Sequence, residues 1–107
     1  MTTTRIYNLA QFQELLQRAR ESSVPVQVLR MTTTVPRDRD DGMVEMRPAA
    51  EITFILEFPD EHFYYREFCV ADEKGIVRLD SPLWRQVSEL MKTNQTEVVM
   101  LRRAGSF

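Results

Sequence analysis

Residues 51–70, EITFILEFPDEHFYYREFCV, decide the fold of this 107-residue chain. Before Pro59, the apolar residues Ile52, Phe54 and Leu56 recur at every second position, which is the period of a strand with one buried face. After Pro59, aromatic and charged residues alternate in the same way. Because a short polar run around a proline is typical of a turn between antiparallel strands, the stretch predicts a β-hairpin.

Two registers of this hairpin fit the sequence. In the first, the odd-numbered residues of 62–70 join the apolar face and the even-numbered residues point away from it; in the second, the two sets are exchanged. The outward set of the first register includes four large side chains: His62, Tyr64, Arg66 and Phe68. Either register leaves at least one large aromatic side chain on the far face, because the chain has too few helices to cover both faces of a sheet.

Two helices are predicted around the hairpin. Asn8 can accept a hydrogen bond from a free amide at a helix start, and apolar residues then recur at three-to-four spacing, so a helix is predicted over 9–21. Ser81 followed by Pro82 predicts the start of a second helix, since serine caps helices and proline fits the first helical position.

Three further runs of β-branched or apolar residues predict strands: 25–35, 76–79 and 96–103. The order is therefore α-β-β-β-β-α-β, which predicts a single α+β domain over residues 1–107. We expect an antiparallel sheet of about five strands with both helices on one face. The last strand fits either beside the first strand or at an edge of the sheet.

The charged stretch PRDRDDG and the residues after it predict a solvated loop near 36–47. The spacing of Asp38, Asp40 and Asp41 is similar to the start of a calcium-binding loop. Such a site also needs a later glutamate and flanking helices, which this stretch lacks. Zinc-ligand spacing and phosphate-binding glycine motifs are missing as well, so we expect neither a metal nor a cofactor.

His62 is the candidate for acid–base chemistry, because Asp60 or Glu61 beside it could orient the imidazole. Cys69 is the candidate nucleophile, but the odd spacing in a flat strand places it on the opposite face from His62. Since the sequence contains no complete catalytic set, we expect a protein that is not an enzyme. A small enzyme or ligand-binding domain centred on His62 is an alternative.

The net charge is −2, but residues 36–80 contain twelve acidic and six basic residues. Affinity for nucleic acid comes mainly from clustered Lys and Arg, and the longest basic run is Arg102-Arg103. Nucleic acid is therefore a disfavoured partner, although Tyr64 and Arg66 could hold single-stranded bases by stacking. The single cysteine and the lack of a long apolar run predict a soluble, cytoplasmic protein without membrane contact.

A polar-aromatic surface is the functional feature with the most support, because exposed Tyr, Phe, Met and Arg are enriched at protein interfaces. The sequence predicts a small regulator, adaptor or inhibitor that docks through an exposed sheet face and the acidic loop. The partner would be another protein or a second copy of the chain, which would make a homodimer. The predicted docking residues are Tyr64, Arg66, Phe68, His62, Met43, Met46, Asp38, Asp40 and Asp41.

Overall fold

The structure is a computed structural model that describes residues 2–93 and 98–102, and its fold is α+β. The strands are β1 (Thr2–Arg5), β2 (Val26–Asp38), β3 (Val44–Glu57), β4 (Glu61–Val70) and β5 (Val98–Arg102). The helices are α1 (Leu9–Glu21) and α2 (Pro82–Thr93). The predicted fold class and both helix starts are confirmed, while residues 96–97 and 103 of the predicted last strand lie outside the described residues.

Local capping explains where both helices begin. Asn8 Oδ1 accepts a hydrogen bond from Gln11 N at 3.0 Å, and Ser81 Oγ accepts one from Trp84 N at 3.0 Å. Each bond satisfies an amide that has no partner inside its own helix. No helix among the described residues is long and apolar enough to cross a membrane.

The sheet is mixed, with the strand order β1-β4-β3-β2-β5. Its three central strands are antiparallel, whereas β1 lies parallel to β4 and β5 lies parallel to β2. The prediction of a fully antiparallel sheet that begins after the first helix is therefore wrong at both edges. Each helix connects two strands that run in the same direction, and such strands need a crossover connection rather than a hairpin.

The predicted strand at 76–79 is not part of the sheet. Asp72 Oδ1 accepts a hydrogen bond from Ile76 N at 3.0 Å, which closes a turn after β4. The chain then runs on toward α2, and Val77 and Leu79 pack against the core without joining a strand. The run of β-branched and apolar residues that predicted a strand therefore reflects core packing by Val77 and Leu79.

The stretch predicted as a loop near 36–47 is a β-ribbon over most of its length. The pairing of β2 with β3 continues as far as Asp38 and Val44, whereas β4 leaves β3 at Ala49. Residues 34–48 therefore project beyond the body of the sheet as a two-stranded hairpin, which we call the arm. Its charged residues are compatible with pairing, because the side chains of a ribbon with two free faces stay in water.

Side chains at the tip of the arm close its turn. Asp41 Oδ1 accepts a hydrogen bond from Met43 N at 3.0 Å, and the same carboxylate pairs with Arg39 at 3.1 Å. Gly42 has a φ of +82°, a left-handed conformation that glycine adopts without a steric penalty. Asp41 and Gly42 together therefore fix the turn that joins β2 to β3.

The core lies between the two helices and one face of the sheet. It includes the fully buried side chains of Phe12 in α1, Leu83 in α2, and Ile52, Phe54 and Leu56 in β3. Burying a side chain of this size contributes roughly 1.5–3 kcal/mol. Because the buried residues of both helices belong to one cluster, the helices cover the same face of the sheet, as expected.

The β3–β4 hairpin has the first of the two predicted registers. Leu56 pairs with Phe63 and Phe54 pairs with Tyr65, so the odd-numbered residues of β4 lie on the helix side. The ring of Tyr65 accordingly lies 5.5 Å from the ring of Phe12, measured between centres. The even-numbered residues of β4 lie on the opposite face.

Candidate functional site

The face of the sheet opposite the helices carries the candidate site, and we call it the open face. Residues directly opposite each other in an antiparallel ladder share a face, so their side chains are neighbours. Among the described residues, the core clusters of both helices lie on the other side of the sheet. On β3 and β4 the open face consists of the pairs Glu57↔His62, Ile55↔Tyr64, Thr53↔Arg66, Glu51↔Phe68 and Ala49↔Val70, of which Ala49 is buried.

Arg66 lies at the centre of the open face. Its Nε atom is 2.9 Å from Glu51 Oε1, and its guanidinium carbon is 5.8 Å from the centre of the Tyr64 ring. Phe68, two residues further along β4, is 52% exposed, although phenylalanine is usually among the most buried residues. These side chains therefore combine an aromatic ring, a positive charge and exposed apolar surface in one patch.

The open face continues onto the neighbouring strands. Arg5 of β1 lies beside Tyr64 in the parallel register, and Leu29 of β2 lies beside Thr53. Leu29 and Met31 are only partly buried, so apolar surface extends across β2 as well. Apolar side chains thus extend onto β2, whereas the side of the face toward β1 is charged.

The structure does not bring His62 and Cys69 together. Both lie on the continuous strand β4, and their odd spacing places them on opposite faces. Burial raises the pKa of the Cys69 thiol, and the negative charges of Glu67 and Asp80 raise it further. A thiol with a raised pKa forms less of the reactive thiolate, so this cysteine is poorly suited to nucleophilic chemistry.

The carboxylates that the sequence offered as partners of His62 lie elsewhere. Glu61 Oε2 accepts a hydrogen bond from the Thr4 hydroxyl at 2.6 Å, and Asp60 is exposed in the turn before β4. Among the described residues, no hydrogen bond joins His62 to a carboxylate. In this structure, neither Asp60 nor Glu61 therefore orients the imidazole.

The two methionines among the predicted docking residues belong to the arm and form a separate group. Met43 and Met46 are 62% and 59% exposed, but Met46 pairs with Pro36 and lies on the helix side of the ladder. It also lies five residues before Glu51, which is about 16 Å along β3. The structure therefore does not bring these methionines onto the open face.

The three aspartates of the prediction, Asp38, Asp40 and Asp41, lie at the tip of the arm beside an open cleft of about 430 Å³. The same cleft contains Arg47, which donates a hydrogen bond to Glu45 and thereby lowers the pKa of that carboxyl. Among the described residues, no group of three side chains is placed to hold a metal ion. The tip is thus a solvated mixture of both charges.

Sequence reasoning missed the contacts of two glutamates, one on the open face and one on the helix side. Glu51 holds Arg66 in place, and only the cross-strand register could have revealed this pairing. Glu67 lies on the helix side, where its carboxylate accepts a hydrogen bond from Ser81 Oγ at 2.5 Å and burial raises its pKa. The alternation within β4 could have predicted its side, because Glu67 has the same parity as the core residues of that strand.

No protein-family model, curated protein or solved structure matches this chain. The geometry of the open face is therefore the basis for a functional proposal.

Proposed function

We propose that the protein is a small, non-enzymatic interaction module that docks onto a partner through the open face. The observation that carries this proposal is the one-sided packing of the sheet. Both helices cover one face, while Tyr64, Arg66 and Phe68 lie on the other. We infer a regulator, adaptor or inhibitor that acts in the cytoplasm, with another protein or a second copy of the chain as its partner.

The size of the open face supports this proposal. Adjacent strands lie about 4.8 Å apart and each residue adds about 3.3 Å, so the nine-residue ladder of β3 and β4 is about 30 Å long. Five strands, of which the outer two are short, give a footprint on the order of 600 Å². This area approaches the roughly 800 Å² that each partner contributes to a standard protein interface.

The side chains of the patch suit protein recognition. The Tyr64 ring is already held beneath Arg66, so it loses little conformational entropy when a partner binds. Arg66 contacts Glu51 through Nε, and a guanidinium has further N–H donors that can bind carbonyl or carboxylate groups of a partner. Phe68 adds apolar surface that is removed from water on docking.

The charges of the open face favour a protein over nucleic acid. Arg5 and Arg66 on β1 and β4 are balanced by Glu51 and Glu57 on β3. Binding of phosphate groups requires an excess of positive charge, which the described side chains of this face do not provide. Stacking of single-stranded bases on Tyr64 is the second candidate function, and the position of Arg66 beside the ring is the observation that favours it.

The proposal is tested by placing a charge on the exposed apolar surface of the patch, at Phe68. Immobilised Phe68→Lys should lose the partner that the wild-type protein captures from an extract of the source organism. Gln17→Lys, which adds the same charge at an exposed position of α1, should retain that partner. Circular dichroism melts check that both variants fold. Equal capture by both variants would rule out docking through the open face.

The nature of the partner needs a second measurement. Native mass spectrometry of the purified chain over a dilution series separates a homodimer from a monomer that binds another protein. If the partner is a second copy, Phe68→Lys should shift the dimer–monomer equilibrium toward monomer, and Gln17→Lys should not.

A further inference from the structure

Strand β4 has a backbone edge that no described strand occupies. β1 leaves β4 where Ile6 N donates a hydrogen bond to Tyr64 O at 2.8 Å. β4 itself continues as far as Val70. This edge, residues 66–70, consists of main-chain groups, so an inference about it goes beyond the proposed function, which uses side chains on the sheet face.

The backbone N–H and C=O groups of successive β4 residues point to alternate edges of the strand, and this alternation identifies those on the free edge. Because Tyr64 O accepts a bond from the β1 side, the backbone groups of Arg66 and Phe68 point to the same edge. Those of Glu67 and Cys69 point to β3 instead. Arg66 and Phe68 therefore each present an N–H and a C=O that have no strand partner among the described residues. Such groups form a template for an additional strand.

A cleft of about 340 Å³ lies beside this edge. One wall is β4 at Phe68 and Val70, and the other is the segment between β4 and α2, at Ile76 and Asp80. Phe68 and Ile76 are both about half exposed, so the rim of the cleft is apolar. Had residues 76–79 formed the strand that the sequence predicts, they could have filled this edge.

The charged residues that line the cleft indicate which side-chain charge a bound segment needs. Three charged residues line the cleft: Asp72 and Arg78 approach each other to 4.0 Å, whereas Asp80 forms no salt bridge with a described residue. The lining of the cleft is therefore negative on balance at Asp80, which acts on Cys69 on the helix side of β4. A basic side chain is the complement on that side, whereas Phe68 offers an apolar contact on the open-face side.

We propose that the edge of β4 at residues 66–70 binds an extended segment of another protein as an added strand. Hydrogen bonds to the backbone of Arg66 and Phe68 supply affinity, and alternate side chains supply selectivity. Neighbouring residues of a strand point to opposite faces. The bound segment therefore directs a lysine or arginine toward Asp80, and the residues on either side of it are apolar and contact Phe68.

The test titrates the full chain, labelled with nitrogen-15, with a short blocked peptide. In this peptide, valines flank a central lysine and alternate with threonine elsewhere. We expect saturable shifts and slower hydrogen exchange for the amides of Arg66 and Phe68, but little change for those of Glu67 and Cys69.

The same peptide with its alternate amides methylated lacks the donors for strand pairing and should not bind. Replacing its lysine with glutamate should weaken binding by about twofold to fivefold.

Two matched variants test the selectivity. Asp80→Asn should remove the preference for the lysine peptide over the glutamate peptide. Asp60→Asn, which changes an exposed aspartate in the turn before β4, should preserve it. Loss of the preference in both variants would contradict the role of Asp80.

Several outcomes overturn the proposal. One is the lack of a saturable shift at about 1 mM peptide, and another is equal binding of the methylated peptide. Slow exchange of the Arg66 and Phe68 amides in the free protein at every concentration would show that another part of the same chain already binds the edge. If protection of these amides from hydrogen exchange grows with protein concentration, the edge binds a second copy of the chain. The methylated peptide changes only backbone donors and leaves the side chains of the open face untouched, so failure of strand pairing and failure of docking through the open face are separable results.

Discussion

Phe54 and Ile55 are consecutive residues of β3 with opposite surroundings. Phe54 is fully buried, with its ring centre 6.5 Å from that of Trp84, whereas Ile55 lies on the open face and is only partly buried. We expect Phe54→Ala to reduce the free energy of unfolding by about 3–5 kcal/mol. Ile55→Ala should cost less than half of that. Urea denaturation measures both, and equal losses would show that the open face is packed like the core.

Glu67 is a second single residue whose effect can be tested, through the pH dependence of the protein's stability. Burial raises its pKa, so the folded protein binds this proton more readily than the unfolded chain does. The ionised carboxylate therefore costs stability above the folded pKa, and this cost disappears as the pH falls toward the ordinary value of 4.5. Glu67→Gln keeps an acceptor for Ser81 and removes the charge.

The melting temperature of Glu67→Gln should therefore exceed that of the wild type near neutral pH. The difference should shrink as the pH falls through the folded pKa toward 4.5. Glu14→Gln, at an exposed position of α1, controls for the general loss of a negative charge. A stability gain that stays constant over this pH range would contradict the assignment to Glu67.

Among the elements, those set by local chemistry could be predicted from the sequence. Asn8 and Ser81 cap helices through amides only three residues away, and the β3–β4 turn joins two adjacent alternating runs. β1 could not be predicted, because its four residues pair with β4 at positions far along the chain. The ends of β2 and β3 in the arm could not be predicted, because a run of charged residues is typical of a loop but is equally compatible with a solvated ribbon.

The arm makes an element-scale prediction about hydrogen exchange. Arg39 N donates to Met43 O at 2.7 Å, so alternation places the odd-numbered residues of the ribbon in hydrogen-bonded pairs. A loop would show no such alternation. The arm amides that we expect to exchange slowly are those of Val35, Arg37, Glu45 and Arg47.

Gly42→Ala should speed the exchange of these amides. The substitution forces an L-residue to a φ of +82°, which costs about 1–2 kcal/mol, and no atom lies within 4 Å of the added Cβ to contribute another effect. Gly75→Ala is the matched control, because its φ is +81° and its surroundings are equally open, but it lies in the turn after β4. An equal change of arm exchange in both variants would contradict the ribbon.

At the scale of the whole molecule, the sequence predicted which β4 residues share the open face but not the position of the arm relative to that face. Alternation alone placed Tyr64, Arg66 and Phe68 on one side of β4. The length of the β2–β3 ladder separates Met43 and Met46 from them, and it gives the molecule extents of 50 × 29 × 28 Å. The length of the β2–β3 ladder depends on pairing between residues that are distant in the sequence. Composition could therefore not reveal that the two methionines lie far from the open-face residues of β4.

We propose that the open face, and not the helix side, meets the partner. The most direct measurement is photo-cross-linking in cells of the source organism, with a photoreactive phenylalanine analogue placed at Tyr64, at Phe68 or at the exposed α1 position Gln17. We expect one discrete cross-linked product from Tyr64 and Phe68 and none from Gln17. A product from Gln17 in place of the two β4 positions, or no product from either of those positions, would contradict the claim.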